Sequence, residues 1–264
     1  MKEQLYTIPL MDAYRADDEC PFCFIERKLQ EHAIEFTLGP ESSYMEDDVR
    51  FQTDKAGFCR DHYRQMFAYG NRLGSAMILE THLKAVRKEL KGQMDHYSAG
   101  QGRGVRILPF RKAAKGKGPE GAEASNSVSA WIRTQTGSCF ICEQIQSNYQ
   151  RYLATFIELF KRADPAFEEL LKNAKGYCLP HFGDLLDAAQ SALGREEMEK
   201  LKAILFPQME QSLDRIVEDL DWFQKKFDYR YKDAEWKNAK DAVQRGMQKA
   251  GGGYPALKPL EAQS

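Results

Sequence analysis

Four short motifs hold the residues able to do chemistry: Cys20-Pro-Phe-Cys23, Cys59-Arg-Asp-His62, Cys139-Phe-Ile-Cys142 and Cys178-Leu-Pro-His181. The last two lie 119 positions after the first two, ligand for ligand, and 35 residues separate the second cysteine from the third in both copies. All six cysteines of the chain are used. Three soft thiolates and one imidazole, as CxxC and CxxH, are the ligand set and local spacing of a closed tetrahedral zinc site. Read as a tandem duplication, the chain is expected to hold two Zn²⁺. One would be bound by Cys20, Cys23, Cys59 and His62, the other by Cys139, Cys142, Cys178 and His181.

Other chemistries fit these residues less well. Covalent haem needs a histidine directly after CxxC, where Phe24 and Glu143 stand. An iron-sulfur cluster is permitted by ligand type and stays as the alternative cofactor, although the spacing is not a usual ferredoxin run. A redox dithiol at Cys20-Pro-Phe-Cys23 lacks a βαβ context and leaves the CxxH unexplained. A catalytic zinc keeps a position for water and usually has three protein ligands, whereas four are offered here. His32, His82 and His96 have no repeated counterpart and read as ordinary helix residues. With no GxSxG, HExxH or Gly-rich phosphate loop after a strand, the expectation is a protein that is not an enzyme.

The positioning elements read as helical. An apolar stripe at spacings of three and four runs from Pro21 to about Leu38 and stops at Gly39-Pro40. After Cys59 a second stripe follows Leu79, Leu83, Val86, Leu90 and Met94, as one long helix or two in series. The second copy repeats the course through Ile145, Tyr149, Tyr152, Phe156 and Phe160, with Asp164-Pro165 capping a return helix. A third stripe, from Leu201 to Phe223, follows Gly194. A helix of about 18 residues climbs roughly 27 Å, so each repeat needs a return segment before its CxxH. Pro165–Lys175 suits that role; Val49–Ala56 is less clearly helical. The glycines before Cys59 and Cys178 mark matching turns.

The expected fold is therefore all-α: two tandem helical repeats, each with a Cys₃His zinc at helix N-termini, and a long C-terminal helix across them. The domain reading is 1–97 for leader and first repeat, 98–128 for a flexible basic linker, 129–225 for the second repeat, and 226–264 for the C-terminal helix and tail. Tyr6, Ile8, Leu10 and Met11 of the leader are candidates to dock on the body. Aromatics of the Phe227-Asp-Tyr-Arg-Tyr231 run, with Trp236, are expected to fix the last helix to the body.

Composition limits the partners. With 38 basic and 39 acidic residues the formal charge is -1, and the mean hydropathy of -0.60 is that of a water-soluble chain. No apolar run reaches signal-peptide or membrane-spanning length, so a cytoplasmic location without membrane contact is expected, where thiols stay reduced. The preferred partner is another protein. Nucleic acid is an alternative, through Arg103, Arg106, Arg111, Lys112, Lys115 and Lys117 of the linker or the basic aromatic C-terminal run. A zinc-thiolate redox switch is the other alternative.

The opening MKEQLYTIPLMDAYRADDECPFC, the GFCRDH and GYCLPH turns and the closing WFQKKFDYRYKDAEWKNAKDAVQRGMQK together resemble a bacterial family known only as a domain of unknown function. The likeness covers nearly the whole chain. It implies a stand-alone cytoplasmic bacterial protein with the eight Cys and His positions as metal ligands, and it brings no activity.

Overall fold

The structure is a computed structural model that describes residues 2–41, 43–98 and 127–253. The linker residues proposed for nucleic acid and the tail prolines Pro255 and Pro259 lie outside the described residues. Among the described residues all regular structure is helical. Eleven α-helices run α1 (Lys2–Arg15), α2 (Pro21–Leu38), α3 (Asp47–Ala56), α4 (Arg60–Tyr69), α5 (Arg72–Ser98), α6 (Ser127–Thr136), α7 (Phe140–Lys161), α8 (Pro165–Asn173), α9 (Leu179–Ala192), α10 (Arg195–Lys225) and α11 (Ala242–Gly251), with 3₁₀ turns at Ser43–Met45 and Tyr229–Tyr231.

Local chemistry accounts for several boundaries. Asp164 caps α8 by accepting from the Phe167 N–H at 2.9 Å, and Pro165 opens the helix where no donor is needed. Glu197 reaches back to the Gly194 N–H at 2.8 Å and fixes the start of α10. Gly70, at φ 98°, closes α4 in the left-handed conformation. The residues taken as a leader form α1 even with Pro9 inside it. Leu10, Ala13 and Tyr14 are buried while Ile8 is exposed, so one face of the helix docks and the other does not.

The contacts divide the chain into two units, the described parts of Met1–Gln30 with Ser147–Ser264, and of Glu31–Gln146. This differs from a division at the repeats. Both repeats contribute to both units, because α2 begins in the first and ends in the second, and α7 does the reverse. In the first unit, Phe22, Phe156, Phe167, Tyr177, Leu185 and Leu205 are fully buried, and Phe156 meets Phe167 edge to face at 5.3 Å. In the second unit a smaller core gathers Ile34, Leu38, Phe58, Met66, Ile78 and Ile141.

Two expectations are corrected here. The stripe expected along α5 is not its buried face: Leu83 and Met94 are exposed, while Gly74, Ile78 and His82 turn inward at spacings of four. Gly74 lets the helix approach, since a Cβ there would lie 3.0 Å from the Tyr44 ring. The long C-terminal helix is also absent among the described residues. Residues 226–241 form turns and a 3₁₀ segment, and only α11 is α-helical, packed on α9 and α10 within the first unit.

A buried lysine explains the break. The Lys226 Nζ donates to the Tyr231 and Lys232 carbonyls at 2.8 Å each and to the Ala234 carbonyl, winding the chain into a loop around one ammonium. Trp222, Tyr231, Phe223 and Trp236 pack over this loop. The aromatics expected to fasten the last helix therefore do so only in part: Phe227 is 75% and Tyr229 87% exposed. Lys226→Ala leaves three carbonyls without their donor and is expected to cost about 1–3 kcal/mol. It should raise amide exchange in residues 226–237 selectively, and unchanged exchange there would refute the lysine's organising role.

Candidate metal centres

The eight ligand residues form two quartets, but not the two expected from the repeats. Cys20 and Cys23 meet Cys178 and His181, and Cys139 and Cys142 meet Cys59 and His62, so each quartet takes its CxxC from one repeat and its CxxH from the other. Helix lengths favour this exchange. At about 1.5 Å per residue, α2 with 18 residues climbs farther than α3 with 10 can return, and α7 with 22 farther than α8 with 9. The chain leaves one centre along a long helix and delivers its CxxH to the other.

In the first centre, the Cys178 Sγ lies 3.8 Å from the Cys20 Sγ and 3.6 Å from the Cys23 Sγ, and the His181 Nδ1 lies 3.1–3.5 Å from all three sulfurs. In the second, the Cys59 and Cys142 sulfurs are 3.9 Å apart, and the His62 Nδ1 is 3.2–3.3 Å from Cys59, Cys139 and Cys142. Four donors on one tetrahedral ion, at ~2.3 Å for sulfur and ~2.0–2.1 Å for nitrogen, stand ~3.8 Å (S to S) and ~3.6 Å (S to N) apart. The sulfur–sulfur distances match that figure, and the sulfur–nitrogen distances, 3.1–3.5 Å, are somewhat shorter. A cluster places its thiolates on different irons and needs wider separations, so the geometry suits one ion per quartet. Crowded sulfurs share protons strongly: the Cys139 thiol is drawn down to about 3, chiefly by its contact with Cys142, and the same contact pushes Cys142 up. A cation taking those protons' place releases them on binding.

Two helix N-termini face each centre, as the motif spacing anticipates. Cys178 and Cys59 are the N-caps of α9 and α4, and Cys20 and Cys139 directly precede α2 and α7. Their partial positive ends favour three thiolates.

The turns before each CxxH need glycine. Gly176 has φ 89°, and a Cβ on it would sit 2.7 Å from the Ser212 Oγ; Gly57 has φ 59°, and a Cβ would lie 2.8 Å from the His82 ring. His82 is held by the Asp54 carbonyl at 2.8 Å, an ordinary buried histidine as expected. In the second unit the Phe140 N–H donates to the Gly57 carbonyl at 2.9 Å and the Ser138 hydroxyl to the Ala56 carbonyl at 2.7 Å, stitching the CxxH turn to the CxxC turn.

The first centre has a stronger brace that motif reading missed. The buried Lys249 of α11 donates to the Glu19 carbonyl at 2.6 Å and the Lys175 carbonyl at 2.8 Å, tying together the segments that lead into Cys20 and Cys178. Its charge faces the Glu19 carboxylate at 3.2 Å, which also takes two hydrogen bonds from Arg215 at 2.9 and 2.5 Å. Burial pushes the Glu19 carboxyl up, but Arg215 and Lys249 together hold it below the usual carboxylate range. The Asp18 carboxylate accepts from the Cys20 N–H at 3.0 Å and from Gln248 at 2.7 Å. The signal for these residues was their place beside the cysteines, which hydrophobic periodicity does not register.

Residues 1–257 match the profile of a family described as a family of unknown function (DUF6062). An uncharacterised 23.9 kDa protein in the xynA 3′ region of Caldicellulosiruptor sp. (strain Rt8B.4) is similar, at 21% identity over 214 residues, which is 81% of this chain and 85% of that protein. No solved structure matches.

Cross-pairing makes a stoichiometric prediction. Cys23→Ser with Cys178→Ser strikes one centre and should leave one metal ion per chain, whereas Cys23→Ser with Cys59→Ser strikes both and should leave none. Elemental analysis of the two purified double variants separates these results, and the reverse pattern would restore the within-repeat pairing. Lys249→Ala, which removes one of the cations on Glu19 and leaves the Glu19 and Lys175 carbonyls without their donor, should lower unfolding free energy by about 1–3 kcal/mol in urea titration.

Proposed function

Since the chain belongs to that family of unknown function, no inherited activity guides the reading, and we propose that it is a zinc-stabilised, non-catalytic scaffold that binds another protein in the cytoplasm. The closed Cys₃His shell carries this reading. With four donors at tetrahedral spacing around one point, a bound ion has no position left for water or substrate, which is the mark of a structural site. Three thiolates favour zinc among the common divalent ions that accept four such ligands. His181 supports it further: its Nδ1 faces the sulfurs while its Nε2 donates to the Glu26 carboxylate at 3.2 Å, the outer support that fixes a ligating imidazole.

The partner surface is best sought at the loop wound on Lys226. It holds Phe227 and Tyr229 in solvent on a braced frame, which spares a partner much of the ordering cost. Its charge is balanced, with Asp228 already paired to Arg230 at 2.7 Å, so it suits a protein surface better than a phosphate backbone. The cleft lined by Lys172, Lys175 and Arg215, of about 480 Å³, likewise offers no free cationic field. Each of those cations is paired, to Glu168, Asp17 and Glu19 respectively. No described helix is long and apolar enough to cross a membrane.

Metal removal tests the structural half of the proposal. Structural zinc is worth an apparent ~10–16 kcal/mol in small peptides, as large as the ~5–15 kcal/mol net stability of a domain. Strong chelation should therefore abolish the cooperative thermal transition seen by circular dichroism. An unchanged melting temperature after verified metal loss would reject a structural role. For the partner half, Phe227→Ala with Tyr229→Ala should remove co-purifying protein while leaving metal content and melting temperature intact. Equal retention by wild type and variant would move the surface elsewhere.

A further inference from the structure

The two centres share their ligand types, yet they differ in cover. Cys20, Cys23 and Cys178 are fully buried and His181 is nearly so. The end of α11 lies over them: a Cβ on Gly252 would stand 3.5 Å from the Cys178 Sγ and 3.5 Å from the Pro180 ring, so bare backbone sits against that sulfur. The Glu26 carboxylate backs the histidine at 3.2 Å. In the second centre, Cys139 and His62 are buried, but Cys59 is only half-buried and Cys142 is exposed. Its histidine meets the three sulfurs through Nδ1, and no described carboxylate pairs with the ring.

We propose that the second centre is a modification site for hydroperoxides, with Cys142 attacked first and Cys59 as its disulfide partner, while the first centre keeps its ion. The inference rests on the reading that both quartets hold a metal. A zinc-bound thiolate keeps its nucleophilic lone pairs, so access selects which sulfur reacts. Cys142 offers the exposed sulfur. Cys59, 3.9 Å away and half-buried, is placed to resolve the product.

The step balances as follows. The Cys142 thiolate attacks the O–O bond of a hydroperoxide, forming the sulfenic acid and, with one proton, releasing an alcohol or water. The Cys59 thiolate then attacks the sulfenyl sulfur, forming the disulfide and releasing hydroxide, which a second proton converts to water. The two sulfurs lose two electrons and the O–O bond gains them. Cys139 and His62 alone then remain for the metal, which leaves. The stitch between the Gly57 and Ser138 turns loses its central anchor, and modification thereby reports on the second unit only.

The test uses the full-length metal-loaded protein, and elemental analysis before oxidant comes first. Absence of metal at that stage is failure of the metal reading itself and is recognised as such. Two equivalents per chain allow titration with hydrogen peroxide in the presence of a chromogenic chelator, with peptide mapping by mass spectrometry. The expected result is release of one equivalent at least about tenfold faster than the other. A Cys59–Cys142 disulfide should accompany it, with Cys20, Cys23 and Cys178 unmodified, and a dithiol with added zinc should reverse the change. Release of both equivalents at one rate, earlier reaction in the first centre, or a disulfide that includes Cys139 would each overturn the proposal. The wild-type chain carries every readout, so no cysteine variant has to fold.

Discussion

A long helix followed by a much shorter one does not by itself bring a chain back to its starting point, and the exchange of ligand pairs accommodates that mismatch. Because α3 and α8 are each about half the length of the helices they follow, neither repeat returns its CxxH to its own CxxC. The two quartets are completed by exchange of ligand pairs, and both units are then composites of the two motif copies. Contacts as distant in sequence as Cys23 with Cys178, 155 residues apart, become the innermost ones. Closing so long a loop is entropically costly, a cost that a four-ligand chelate would offset on binding its ion.

The two Cys/His quartets share their ligand types, and the packing around them differs. In the first unit Lys249, Glu19, Arg215 and Gln248 bind the approaches to both ligand pairs into one buried polar cluster, and α11 closes over the sulfurs. Such a cluster is stable only because its members satisfy one another; removing one strands the rest. In the second unit the two ligand turns are joined by a pair of hydrogen bonds at Gly57 and Ser138, and the metal position opens to solvent on the Cys142 side. One set of ligands thus sits in two environments.

Much of this was legible in the sequence where chemistry is local. The eight clustered Cys and His residues, the helix from Pro21 to Leu38, the cap at Asp164 and the glycine turns before Cys59 and Cys178 all follow from short-range rules and are present in the structure. The pairing of the ligands was not resolved by spacing, since an interval of 35 residues repeated identically fits exchange as well as self-closure. Only the comparison of outgoing and returning helix lengths distinguishes them, and Val49–Ala56 does not advertise its helix through apolar periodicity. The inward face of α5 escaped notice because a glycine and a histidine lie on it. The loop at residues 226–241 turns on one ammonium gathering three carbonyls, an arrangement that leaves no periodic trace.

Exchange of ligand pairs also sets an order of events at the ribosome. The first CxxC and CxxH emerge before any of their mates, and 77 positions separate His62 from Cys139, the earliest of those, an interval of about 4–15 s at ordinary elongation rates of ~5–20 residues per second. During that time the nascent segment carries three thiols and an imidazole whose proper mates do not yet exist. The same four groups make a complete chelate among themselves if the intervening helices stay unformed, so early metal capture competes with correct assembly. An α2 of full length, 18 residues, separates the two pairs along its axis and so works against this trap.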